Sequence, residues 1–301
     1  MLQMRNHTPY AARLLVLPDP DGVESAVLIV QGTFRLADGA PSAIQAPLIE
    51  ADTYAGAPGA SPLCDASDLT LAKPGTDVLI EGAAHAPGGV AVPTFCASFA
   101  VGPVRKTVRV VGDRQWRRTW IGVRATQPLA VRAVPLSWVE AFGGDAPPRL
   151  EHPAHPVLSH RRCPPPWGGC GPIPPSWSPR CEHAGTYDQA WKRTRAPFLP
   201  ADFSPRFFHV APADQVTAVP LSGGEPVELV NCRAVGDLRT ALPRRALRAA
   251  FRFTGSEQLP VLHLDTVRLL PDVDEVRLVW RAVLPLGRRV LALQQVEVSD
   301  G

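Results

Sequence analysis

Residues 24–36 read ESAVLIVQGTFRL, and this stretch sets the class of the fold. Side chains alternate faces along a strand, so Ala26, Leu28, Val30 and Phe34 fall on one side and Gln31, Thr33 and Arg35 on the other. Its first half is apolar on both sides, the pattern of a strand entering the middle of a sandwich. The same alternation recurs outward from it. Residues 76–81, TDVLIE, place Val78 and Ile80 inward, and Pro87, Gly88 and Gly89 then mark a turn. Residues 95–101, FCASFAV, and 105–111, RKTVRVV, flank Gly102 and Pro103 and predict a β-hairpin. Strand patterns return at 226–232, 261–270, 275–284 and 289–298. In the third of these, Val276, Leu278, Trp280 and Ala282 oppose Arg277 and Arg281.

The chain carries 34 prolines and 24 glycines in 301 residues. Proline cannot donate to a ladder and breaks helix interiors, so helices must be short. The best helix candidate is residues 185–195, GTYDQAWKRTR, with Tyr187 and Trp191 spaced i, i+4 and Pro197 as its stop. Eleven of the prolines lie between Pro147 and Pro179, which predicts irregular or polyproline chain there. Trp167 and Trp177 sit inside that segment, so it reads as a loop lying over the sheets with its aromatics pinned against them. No internal repeat emerges. The predicted class is mainly β, a sandwich or barrel-like antiparallel body with one short helix and a proline-rich irregular insertion. Its regions are an N-terminal β region (1–142), the insertion with the helix (143–205) and a C-terminal β region (206–301), packed as one unit.

Thirty-one basic against 28 acidic residues leave a net charge of +3, too near balance to drive the chain onto nucleic acid or anionic lipid. Only Lys73, Lys106 and Lys192 among the basic residues are lysines. No basic start followed by an apolar stretch and no run of roughly 18 apolar residues is present, so a cytoplasmic protein is expected, with neither a secretory signal nor a membrane span. In that reducing compartment Cys64, Cys96, Cys163, Cys170, Cys181 and Cys232 would be thiols or metal ligands rather than disulfides.

Chemistry-bearing patterns are sparse. Cys163, Cys170, Cys181 and His183, with His152, His155 and His160 upstream, offer the thiolate and imidazole donors zinc takes, though their spacing matches no tight knuckle. Two readings stay open for them: packed or exposed thiols with no cofactor, or a structural zinc stapling irregular chain. There is no G-x-S-x-G, Walker A loop, dinucleotide fingerprint or H-E-x-x-H, and Asp272 and Asp274 lie in a turn. No catalytic residue is therefore assigned. His85, His209 and His263 stand alone and read as structural hydrogen-bonders. Six of the seven tryptophans fall between Trp116 and Trp191. Tryptophan is a favoured interface anchor, and it also fills cores. The partner-binding candidates are Trp138, Phe142, Asp145, Trp167, Trp177, Tyr187 and Trp191.

An ordered series of short motifs resembles one bacterial family, the domain of unknown function 2169 family. It runs LTLAKPGTDVLIEG (69–82), APGG (86–89), VGPVRK (101–106), GDRQW (112–116) and EAFGGD (140–145). It continues through CGPIP (170–174) with Trp177, AGTYDQAW (184–191), PFLP (197–200), PRFF (205–208), LDTV (264–267) and LVWR (278–281). The resemblance implies an adaptor or chaperone for type VI secretion, partnered by an effector toxin and a spike or spike-tip protein, and staying in the cytoplasm when the spike fires. The family offers no catalytic residues to carry over. One departure is HPAHP at 152–156, where the family usually has an Asn-Pro and glycine-rich stretch, which puts the cargo preference in question. The alternative from another class is a metal-dependent hydrolase or zinc-stapled binding module using the 152–183 Cys/His cluster.

Overall fold

A computed structural model describes residues 2–159 and 168–301. The strand that opened the reading, Glu24–Arg35, is buried from Ser25 to Phe34 and lies second in a five-stranded sheet. The order is Ala11–Pro18, Glu24–Arg35, Glu275–Pro285, His263–Leu270 and Asp77–Ile80, antiparallel except for the last pair. Both of its faces are covered. Leu28, Val30, Val78 and Val267 enter the main core, while Val27, Ile29 and Val279 pack under Leu48, Leu69 and Leu71. The Arg281 side of the sheet is therefore not open. Arg281 is buried against Asp265 and donates to the Asp68 carbonyl at 2.9 Å, and Arg268 pairs with Asp68 at 2.8 Å.

The predicted hairpin is Thr94–Val101 with Val104–Val111. It forms the middle of a second antiparallel sheet, flanked by Leu150–Glu151 on one side and by Pro226–Val230 and Leu238–Ala241 on the other. A third sheet orders Gln3–Asn6, Leu293–Asp300, Leu247–Phe253 and Ser256–Gln258. One core cluster joins all three through Leu28 and Val267, Phe99 and Val108, and Phe251 and Val296. The body is thus mainly β, and among the described residues no sheet closes into a barrel.

Three local differences have local causes. The helix is Gln189–Thr194, shorter than 185–195, because Gly185 has φ +79°, Thr186 is tied to Asp202, and the Asp188 carboxylate caps the first turn by accepting from Trp191 N at 2.8 Å. A second helical turn, Trp138–Phe142, joins it. Residues 289–298 are not one strand: Gly287 at φ 53° bends the chain into a 3₁₀ segment, Gly287–Ala292, before the strand Leu293–Asp300 begins.

Irregular chain has no ladder to satisfy its carbonyls, so side chains must do it. After residue 168 they come from all around the segment. Lys106 Nζ donates to Gly169 O at 2.6 Å, Trp138 Nε1 to Gly171 O at 2.6 Å, Gln215 Nε2 to Cys170 O at 3.2 Å and Arg180 Nη1 to Ile173 O at 2.6 Å. The stretch Gly168–Pro174 is buried throughout. This is how the described end of the proline-rich loop, from Gly168 to Pro174, becomes fixed structure.

Candidate functional site

The loop and the helical turn together build a groove of about 710 Å³. Trp138 and Phe142 sit i, i+4 on the turn, and Trp177 comes from the loop. The Trp138 and Trp177 rings meet edge-on at 6.2 Å and Phe142 and Trp177 edge-on at 4.8 Å, while Trp138 and Phe142 are tilted at 5.9 Å. Trp138 is buried, Trp177 half-buried and Phe142 42 % exposed, so the cluster is a wall with one open ring. Ile173, Pro179 and Pro212 extend the apolar lining. The Lys106 ammonium lies at the edge, 3.1 Å from Asp214 Oδ1. An apolar trough with one polar pair beside it can seat hydrophobic side chains and fix their register.

Gly169 sets how closely the loop approaches. A Cβ there would stand 2.1 Å from Cε3 of Trp138. Gly169→Ala is expected to push that ring off its place and cost about 1–3 kcal/mol by overpacking. A fall in Tm with a changed tryptophan emission would report it, and an unchanged Tm would contradict the packing.

Behind the groove lies a buried polar knot. Asp77 is fully buried; its Oδ2 accepts from Lys73 Nζ at 2.8 Å and Val210 N at 2.9 Å, and its Oδ1 lies 2.7 Å from His209 Nδ1. Burial alone would raise this carboxyl, but the Lys73 charge and His209 outweigh it and hold it far below the usual carboxylate range. Val210 in turn accepts from Ile173 N at 2.7 Å, so the knot anchors the loop that walls the groove.

Of the sequence candidates, Trp138, Phe142 and Trp177 come together. Asp145 is exposed beyond the turn, lining a separate depression with Arg149 and Glu140. Tyr187, just before the short helix, and Trp191, on it, pair with each other at 4.8 Å, with Trp191 Nε1 donating to Phe198 O. Trp167, His160 and Cys163 lie outside the described residues. Cys170 is in the core and burial pushes its thiol up to about 11; Cys181 is exposed and His183 half-buried. Among the described residues no three His, Cys, Asp or Glu side chains gather as a metal centre. His152 and His155 stack on each other at 4.9 Å.

Sequence reasoning missed Lys106, Asp214, Arg180 and the Lys73–Asp77–His209 knot. One signal was present. In a chain that otherwise uses arginine, two of the three lysines, Lys73 and Lys106, are the buried ones. A compact ammonium with three donors fits where a guanidinium fork does not.

Among the described residues no helix is long and apolar enough to cross a membrane. Searches of curated proteins and of solved structures return no match. The bacterial family described as "Uncharacterized protein conserved in bacteria (DUF2169)" matches residues 21–147 and 145–281. With the two matches running through the β body, the aromatic groove and the knot behind it, this chain belongs to the DUF2169 family.

Proposed function

We propose that this chain is a non-catalytic adaptor that holds a type VI secretion effector, or the spike-tip module attached to it, and helps mount it on the spike. The observation that carries the reading is the gathering of Trp138, Phe142 and Trp177 into one open apolar groove on a rigid β scaffold. Aromatic clusters with a partly exposed ring are where binding energy concentrates at protein interfaces. Side chains of a partner segment would fill the trough, with Lys106 and Asp214 offering one donor and one acceptor at its edge.

An adaptor needs a second surface for its second partner. The hairpin Trp116–Thr119 with Gly122–Ala125 carries Trp120, 95 % exposed, and Ile121 at its tip, and neither lines the groove. The work is done in the cytoplasm, before firing, and calls for stoichiometric binding without turnover.

The test is affinity purification of the tagged chain from its native cell with mass spectrometry of what accompanies it. The reading predicts one toxin or spike-tip protein at near-equal amount. Recovery of the chain alone, with the neighbouring effector expressed in the same cells, would end it.

A further inference from the structure

The groove has a second chamber beside it. Pro179 and Ala213 line both spaces, so two segments of chain wall the two. The second space holds about 340 Å³. Its polar walls are Arg180, Arg206, His183, His209 and Thr217, and no acidic residue among the described ones lines it. Asp77 lies behind the His209 ring, held at Nδ1.

Arg180 is the anomaly in this wall. It is only 7 % exposed, yet it forms no ion pair with any described residue. Its Nε donates to Phe207 O at 3.1 Å, its Nη1 to Ile173 O at 2.6 Å, and its guanidinium lies over the Phe207 ring at 5.2 Å. Two of five N–H donors are used, and Nη2 has no partner among the described residues. Burial pulls its pKa down, and the more distant Asp52, Asp77 and Tyr54 offset this only in part. A guanidinium drawn this far out of water is ordinarily paired. Arg206, exposed at the rim, also has no side-chain hydrogen bond or ion pair with the described residues. Two fixed positive charges and two imidazoles thus border one space.

We infer that this chamber is an oxyanion site, and that it takes a carboxylate of the polypeptide laid in the neighbouring groove, with Arg180 and Arg206 as the donors. The adaptor reading supplies only the origin of the carboxylate; the site itself rests on Arg180 and its surroundings. Guanidinium forks match the two oxygens of a carboxylate, and the shared Pro179 wall puts that group one step from apolar side chains seated against Trp177.

The experiment is calorimetric titration of the full chain, in chloride buffer of low ionic strength, with acetate, inorganic phosphate, N-acetyl-phenylalanyl-leucine and the C-terminal amide of that dipeptide. The dipeptide acid is expected to bind at least roughly tenfold tighter than its amide, the loss that follows removal of a charge-assisted contact. Arg206→Glu is expected to erase the difference while leaving Tm unchanged, since that side chain is exposed and unpaired. It is a cleaner probe than Arg180, whose bonds to Phe207 O and Ile173 O hold the loop. Equal binding of acid and amide, saturation by no probe, or an Arg206→Glu chain that still prefers the acid would overturn the site. Phosphate binding tenfold tighter than acetate and the dipeptide acid would overturn the carboxylate assignment. A chain that discriminates acid from amide but recovers no cargo keeps the site and loses the adaptor reading; the reverse pattern loses the site alone.

Discussion

Asp77→Asn is expected to lower the unfolding free energy at pH 7 by about 3–5 kcal/mol, the cost of leaving one member of a buried ion pair without its partner. Asp77 is 0 % exposed and Lys73 9 %, so water does not replace the lost charge. The Lys73 ammonium would be left with neutral partners only, the new amide oxygen and Thr266 Oγ1 at 2.7 Å. One amide oxygen cannot serve both sides: turned to Lys73 and the Val210 amide, which share Oδ2, it leaves an NH₂ group facing His209 Nδ1. Through the bond from Ile173 N to Val210 O, the damage should reach the loop that carries Trp177.

The effect has a pH signature. Asp77 titrates in the folded chain below its unfolded value of about 3.9, so the folded state favours its ionised form. The stabilisation is complete above the unfolded value and is lost as pH falls from there through the depressed folded value. Urea unfolding of wild type and Asp77→Asn at pH 7, 5 and 3.5 should therefore show a constant gap at the first two and a narrowing one at the last. A gap under 1 kcal/mol at pH 7, or one that widens in acid, would contradict the account of the knot.

Phe142→Asp is expected to weaken cargo binding about 100-fold, the size of a central hot-spot loss, with a small stability cost. Phe142 is the open ring of the trio, so its side chain is the one a partner would cover. A carboxylate there would face the apolar trough and, on binding, be desolvated without a partner. Its packing on Trp177 is worth about 1 kcal/mol, a Tm change of a few degrees in a chain of this size. Trp138→Ala would confound the two effects, because Trp138 is buried and holds Gly171 O. Binding measured with purified cargo separates them: an affinity within threefold of wild type would remove Phe142 from the interface.

The β body was legible because its strands bury one or both faces and so must alternate or run apolar. Residues 24–36 and the 95–111 hairpin carry that pattern openly. The edge strand Gln3–Asn6 carries it weakly, since it is mostly exposed and polar residues are tolerated there, while Ala11–Pro18, AARLLVLP, is apolar almost throughout and shows no alternation to mark it. The helix is shorter than expected because Gly185 and the Asp202 contact to Thr186 act at its N-terminal end, where an i, i+4 aromatic pair gives no information. In the site, the aromatics were visible as a local excess of tryptophan, and three of them converge. Which three was not readable, since the groove joins residues 138–142 to 173–179 and 212–214 through tertiary contacts alone. The Lys73–Asp77–His209 knot spans more than 130 residues, and a lone histidine looks the same in sequence whether it serves a buried carboxylate or faces water.

The central claim is that the aromatic groove is the cargo surface, and hydrogen–deuterium exchange of the chain, free and in complex with its co-purified cargo, tests it most directly. The account predicts slowed exchange in residues 138–142 and 173–179 and around 213–214, with the sheets unchanged. Protection confined to other parts of the chain, with these three segments exchanging as in the free protein, would contradict it.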